Sequence, residues 1–309
     1  VKLISIVTPC YNEEQNVAEL YRQVKAVFDK LPQYYYEHIF IDNASKDQTV
    51  RILKELAAMD SNVKIIVNAR NFGHIRSPYH ALLQSSGDAV ILVVADLQDP
   101  PPMIADFLEK WEQGYKVVLG VKNQSEESPL MFAIRKMYYD FINRVSDIDL
   151  TKNNTGFGLY DQKVIDILRR IDDPYPYFRG LISDIGFESY KINYVQPARK
   201  RGVTANNFYT LYDIAMLGIT NHSKVPLRLA AMAGFLMSAV SLLIAVGYFI
   251  AKLFFWDEFS LGMAPVIIGL FFFSSVQLFF IGIMGEYVGA IYTQVQKRPL
   301  VVEKERINF

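Results

Sequence analysis

The stretch AVILVVADLQDPPP (residues 89–102) sets an unbroken run of apolar, mostly β-branched residues against a polar stop at Asp96, Gln98 and Asp99, followed by three prolines. A short continuous apolar run of this kind is the pattern of a parallel strand buried on both faces. Proline is tolerated in the first turn of a helix, so Pro100–Pro102 read as a helix start. Asp99, just before them, reads as the cap of that helix. Asp96, at the mouth of the strand, reads as functional.

The same alternation extends on both sides. LISIVTP, HIFIDNAS, VKIIVNA and YKVVLGVK read as further strands. Amphipathic stretches at 13–28, 47–59 and 74–86, and a helix over 106–112, lie between them. Strand–helix alternation predicts an α/β domain with a Rossmann-like, mostly parallel sheet. Ligands of such sheets bind outside the carboxyl ends of the strands. Those ends carry Thr8-Pro9-Cys10-Tyr11-Asn12-Glu13, Asp42-Asn43-Ala44-Ser45, Asn71-Phe72-Gly73 and Asp96-Leu97-Gln98-Asp99. The chain has neither G-x-G-x-x-G after the first strand nor G-x-x-x-x-G-K-[ST], which argues against a dinucleotide enzyme and a P-loop ATPase. Acids at strand ends suit ribose or base recognition, or a hard divalent ion on a diphosphate.

The 309 residues carry no formal net charge, so nothing points to nucleic acid as a partner. The single cysteine, Cys10, excludes an internal disulfide framework and reads as a small buried hydrophobe. VKLISIVTPCYNEE lacks the long apolar core and the cleavage site of a signal peptide. Residues 229–251 and 259–285 are free of charge, and each exceeds the roughly 20 residues needed to cross a bilayer. Arg199, Lys200, Arg201, Lys224 and Arg228 precede the first run, and Lys297, Arg298, Lys304 and Arg306 follow the second. Both termini are therefore expected on the cytoplasmic side of a cell (inner) membrane, with Trp256 at the far interface. Glu286 lies at the cytoplasmic end of the second run, as an interfacial or paired acid or a helix contact. With Gly282, Gly285 and Gly289 it is the expected face of a homo-oligomer.

The expected division is a catalytic domain at 1–205, an amphipathic juxtamembrane helix at 206–224, two transmembrane helices within 226–291 and a cytoplasmic tail at 292–309. SPLMFAIRKMYYDFINRVSD (residues 128–147) reads as a helix bearing Arg135, Lys136 and Arg144, either with a solvated basic side or guiding an anionic acceptor. NNTGFGLYD, ending in Asp161, reads as a strand returning to the sheet edge. PYPYFRGLISDIGF carries Arg179 on a short helix. Arg199 and Arg201 suit either a phosphate or anionic headgroups.

TPCYNEE, FIDNASKDQT, NFGHIRSPYHAL, GDAVILVVADLQDPP and GEYVGAIYTQVQKRP together resemble the polyisoprenyl-phosphate glycosyltransferases of glycosyltransferase family 2, of the bactoprenol glucosyltransferase type. The resemblance implies a GT-A fold, a nucleotide sugar (UDP-glucose first, GDP-mannose or UDP-N-acetylglucosamine next), and Mg²⁺ or Mn²⁺. It further implies inverting transfer to undecaprenyl phosphate at the membrane. Carried onto matching positions, it gives Pro9, Tyr11, Glu13, Asp42, Asn71, Gly73 and Asp96 to the nucleotide, and Asp96 with Gln98 to the metal and diphosphate. Asp96, Asp161 and Arg179 are the catalytic candidates, and Arg135, Arg199 and Arg201 those for the acceptor phosphate. Two positions depart from the family pattern. Val94 stands where relatives keep an acid, and Gly156 and Gly158 stand where many have an Asp and an Arg. These departures lend slight weight to a rival reading, a non-catalytic nucleotide-sugar-binding membrane protein, beside the enzyme that the resemblance implies. The Gln-x-x-Arg-Trp motif of processive polysaccharide synthases is absent.

Overall fold

The computed structural model describes residues 1–122, 151, 153–197, 216–218, 220, 223–254 and 263–309. Arg135, Arg144, Arg199, Lys200, Arg201, Trp256, the expected helix at 128–147 and most of the one at 206–224 lie outside them.

The strands are β1 (Lys2–Cys10), β2 (Tyr34–Asp42), β3 (Val63–Asn68), β4 (Ala89–Leu92), β5 (Val117–Lys122), β6 (Asn154–Asp161), β7 (Ser189–Tyr194) and β8 (Glu303–Ile307). They form one sheet in the order β7-β5-β6-β4-β1-β2-β3-β8. β1 lies parallel to β2 and β4, β2 to β3, and β5 to β7. β6 runs antiparallel to both β4 and β5, and β8 antiparallel to β3. This mixed, mostly parallel sheet covered by helices is the GT-A type.

The opening stretch shows why the sheet has a helix layer on each face. Successive strand residues point to opposite sides. Ala89, Ile91 and Val93 enter one apolar cluster, with Leu20, Val24 and Phe107 from α1 (Val17–Phe28) and α4 (Met103–Glu112). Val90 and Leu92 enter another, with Tyr79 and Leu82 of α3 (Gly73–Leu83) and Val164 and Leu168 of α5 (Gln162–Arg170). A third cluster joins Phe40 and Ile65 to Leu53 and Leu56 of α2 (Thr49–Met59). Each fully buried aliphatic side chain contributes about 1.5–3 kcal/mol.

Two sequence expectations change. Asp99 does not cap α4, whose N-cap is Pro102, with no side-chain hydrogen bond. Instead Asp99 is buried and accepts from the Tyr194 hydroxyl (3.1 Å) and the Val94 N–H (3.4 Å). NNTGFGLYD does not lie at the sheet edge, because β6 is wedged between β4 and β5. At Gly158 a Cβ would collide with the Val118 carbonyl oxygen, and Gly156 holds φ +98° with Leu92 3.3 Å from where a Cβ would stand. Only glycine suits this backbone.

α7 (Val225–Phe254) and α8 (Met263–Gln296) are long and apolar enough to cross a membrane. At 1.5 Å per residue they measure about 45 and 51 Å, against a hydrocarbon core of about 30 Å. Almost none of their apolar windows is buried by protein. Phe235 is 76% and Leu243 72% exposed, so these are not the core helices of a soluble domain. After α8 the chain returns to the sheet: the expected tail contains β8, which pairs Glu303 with Asn68 and Ile307 with Ile65.

Candidate active site

Strand polarity builds the site. The carboxyl ends of β1, β2, β3, β4, β5 and β7 share one edge of the sheet, together with the amino ends of β6 and β8. Among the described residues, four non-glycine residues there are left-handed: Asn12 (φ 56°) after β1, Ala44 (φ 62°) after β2, Leu97 (φ 61°) after β4 and Asn153 (φ 59°) before β6. Such conformations persist where the surroundings over-determine them, and they gather at functional sites.

The loops after β1 and β2 are laced together. The Asn12 N–H donates to Ser45 Oγ (2.8 Å), and Asn12 Oδ1 accepts from Lys46 N (2.8 Å). Glu13 N donates to Thr49 Oγ1 (2.8 Å), and Glu13 Oε2 accepts from Asn16 Nδ2 (2.6 Å). These bonds present Pro9, Tyr11 and Glu13 along one rim, with the Tyr11 ring 42% exposed. Asp42 stands at the expected strand end but is fully buried, and both its oxygens accept from Ser45, one from N–H (2.9 Å) and one from Oγ. Burial pushes its carboxyl up, with Ser45 acting against the shift. Asp42 therefore shapes the loop from within.

Asn43 is the residue the sequence reading passed over. Its Nδ2 donates to Asn71 Oδ1 (2.9 Å) and the Gly73 carbonyl (3.1 Å), and its Oδ1 accepts from Asn68 Nδ2 (3.1 Å) and Phe72 N (2.9 Å). Asn68 also donates to Ser77 Oγ (3.0 Å). One buried amide thus holds Asn71 and Gly73, the latter at φ +87°, against the β1–β2 rim. Its strand-end position was visible in the sequence, but not its inward direction.

Asp96 follows β4, next to β1, where Val93 N donates to Val7 O (3.0 Å). Its Oδ1 accepts from Gln98 N (3.1 Å). The Gln98 side-chain nitrogen donates to the Pro197 carbonyl (3.4 Å), which leaves the amide oxygen as the atom able to bind a cation. Burial, reinforced by Asp96, pushes the neighbouring Asp99 carboxyl up to about 7 against the Val94 N–H. Among the described residues no group of three or more His, Cys, Asp or Glu side chains could hold a metal ion. One carboxylate and one amide oxygen still fit a hard divalent ion that takes its other ligands from water and a diphosphate.

Arg179 belongs to α6 (Phe178–Ile185). Its Nη1 donates to the Asn154 carbonyl (3.0 Å) at the start of β6, which puts it on the Asp96 edge. Asp161 is not brought there. Because β6 is antiparallel to β4, Asp161 pairs with Ala89 at the opposite edge. It caps α5 through Lys163 N (3.0 Å) and accepts from Trp111 Nε1 (2.7 Å) and Lys116 Nζ (3.0 Å). Its candidacy as a catalytic acid is withdrawn on that geometry.

Known proteins resemble this chain over most of its length. Residues 5–168 match the family model for Glycosyl transferase family 2. An uncharacterised glycosyltransferase of Bacillus subtilis (strain 168) is 36% identical over 96% of this chain and 92% of its own length. The SfII prophage-derived bactoprenol glucosyl transferase of Shigella flexneri is 32% identical over 98% of this chain and 97% of its own. Among solved structures, glucosyl-3-phosphoglycerate synthase from Mycobacterium tuberculosis, crystallised with Mn²⁺, UDP and phosphoglyceric acid, gives a TM-score of 0.49 at 17% identity, covering 71% of this chain and 76% of that one. With a family model matched over more than half its length and relatives aligned nearly end to end, the chain belongs to glycosyl transferase family 2, as a full-length relative of its bactoprenol glucosyl transferases.

Proposed function

We propose that the protein transfers glucose from UDP-glucose to undecaprenyl phosphate at the cytoplasmic face of the cell membrane, with inversion at the anomeric carbon. One observation carries the reading. The chain leaves the sheet toward α7 from the carboxyl end of β7 and returns from α8 into the amino end of β8. The strand ends that lead to and from the apolar helices therefore lie on the edge that bears Asp96. The two connecting strands are the outermost of the sheet, so they flank the site. A polar donor and a lipid-borne acceptor meet naturally at such an edge. The pairing of β8 with β3 keeps residues 303–307 on the same side of the bilayer as the main domain, and the Lys and Arg distribution supports the cytoplasmic side.

A phosphate monoester is largely a dianion at pH 7, so the acceptor needs little activation. Its oxygen attacks the anomeric carbon, the bond from that carbon to UDP breaks, and the electron pair leaves on the diphosphate. Pro9, Tyr11, Glu13, Asn71 and Gly73 hold the nucleotide, and Asp42 and Asn43 hold the loops that carry them. Asp96 and Gln98 would hold Mg²⁺ or Mn²⁺, which supplies Lewis acidity toward the leaving diphosphate. Arg179 offsets acceptor charge, since a guanidinium fork matches phosphate oxygens. The test is the purified protein in vesicles containing undecaprenyl phosphate, supplied in turn with radiolabelled UDP-glucose, GDP-mannose and UDP-N-acetylglucosamine. Label is expected in lipid from UDP-glucose. Absence of lipid label from every donor overturns the reading.

A further inference from the structure

α8 is longer than a bilayer requires. Its first charged residue is Glu286, and the helix continues to Gln296, about 15 Å further at 1.5 Å per residue. This extension is not a free tether. Gln294 Nε2 donates to Asp173 Oδ1 (2.7 Å), and Lys297 Nζ bridges to Asp172 Oδ2 (3.1 Å). Lys297 takes a left-handed conformation (φ 44°) that ends the helix and turns the chain onto the domain. Arg76 Nη2 then donates to the Pro299 carbonyl (2.5 Å), Ala69 N donates to the Val302 carbonyl (2.9 Å), and Val301 is buried.

β8 completes the attachment. Its backbone pairs with β3, Glu303 meets His80 (2.6 Å), Glu305 meets Lys54 (2.6 Å), and Asn308 Nδ2 donates to the carbonyls of Ala57 (2.9 Å) and Val63 (2.8 Å). Single exposed ion pairs contribute little. A strand pairing over Ile65–Asn68, broken only by one register shift at Val67/Asn68 and flanked by the buried Val301, instead fixes a helix end to a domain in one orientation.

We propose that the α8 extension and β8 form a rigid strut that sets the distance and tilt of the catalytic edge relative to the bilayer, with Asp172, Asp173, Gln294 and Lys297 as positioning residues. The inference rests on the reading of α7 and α8 as membrane spans and of a polyprenyl phosphate as acceptor. Small misplacements of reacting groups are costly, and a lipid-borne phosphate has little freedom along the membrane normal.

The test uses the full chain, donor UDP-glucose and two acceptors: undecaprenyl phosphate in vesicles, and a short-chain polyprenyl phosphate soluble in detergent. A seven-residue helical insertion between Gly289 and Ala290 adds two turns, about 10 Å, and keeps every latch contact. Turnover on the vesicle acceptor is expected to fall about tenfold or more, with the soluble-acceptor rate and the KM for UDP-glucose within about twofold. Unchanged vesicle turnover, or equal loss with both acceptors in a protein of unaltered melting temperature, overturns the strut. Should the insertion lower the melting temperature, the double variant Asp173→Ala/Gln294→Ala decides by the same split. Wild-type protein inactive on both acceptors counts against the functional reading instead.

Discussion

The indole N–H of Trp111 donates to Asp161 at 2.7 Å, on the edge of the sheet opposite Asp96. Burial raises the Asp161 carboxyl, but Trp111, the Lys163 N–H and Lys116 outweigh it and hold it below the usual carboxylate range. A depressed carboxyl stabilises the fold above about pH 4, and that contribution is lost as pH falls through the folded value. Asp161→Ala removes a helix cap and leaves a buried indole donor unpaired, at a cost of about 2–4 kcal/mol. Turnover at temperatures where the variant stays folded should match wild type. A large loss of turnover in a folded variant would return Asp161 to the chemistry.

Asp96→Asn tests the other edge. Turnover should fall on the order of 10²–10³-fold with little change in melting temperature. Chelation with EDTA should silence the wild-type protein, and Mg²⁺ or Mn²⁺ should restore it. Full activity of the wild type after chelation would refute the metal assignment at Asp96 and Gln98.

Asn43→Ala separates loop support from catalysis. The variant frees the Asn71 and Gly73 loop and leaves buried partners unsatisfied, for a loss of about 1–3 kcal/mol. The KM for UDP-glucose should rise about tenfold, as expected for roughly 1.4 kcal/mol of lost binding, with the KM for the lipid acceptor unchanged. A rise confined to the acceptor would move the nucleotide site elsewhere.

His38 predicts an acid-sensitive fold. It is fully buried, stacks on Phe40 (3.9 Å between centroids), and bonds Thr8 Oγ1 through Nε2 (2.9 Å). Burial lowers its pKa to about 3. The unfolded histidine takes a proton below about pH 6.5 and the folded one does not, so stability falls between about pH 6.5 and 3, by about 1.4 kcal/mol per unit at most. Cys10 offers the readout, since it is buried in the folded protein and unfolding exposes it to a thiol reagent active at acid pH. His38→Gln should flatten the slope. An equally steep slope in the variant assigns the acid sensitivity to other groups.

The half of the sheet formed by β1 to β4 was legible because its strands are buried on both faces, which leaves an unbroken apolar signature in LISIV, HIFI, KIIV and AVILVV. β6 was recognised as a strand but misplaced. Periodicity reports burial, not neighbours, and the insertion shows only in the pairing of β6 with both β4 and β5. β8, EKERI, was read as tail because an edge strand spends charge on its solvent side. At the site, the strand ends named most of the rim. The directions of Asp42, Asn43 and Asp99 were set by loops with left-handed residues at Asn12, Ala44 and Leu97, which no spacing rule announces.

The position of β8 imposes an order of assembly. Synthesis proceeds from the N-terminus, and domains fold as they emerge. The outer edge of β3 therefore stays bare until both apolar helices and then residues 303–307 have been made. An open strand edge is a template for pairing with other chains. Loss of residues 300–309 would remove nothing from the catalytic rim, yet it would leave the outer flank of β3 uncovered. β8 acts as a late seal, closing the sheet only once both long apolar helices have been synthesised.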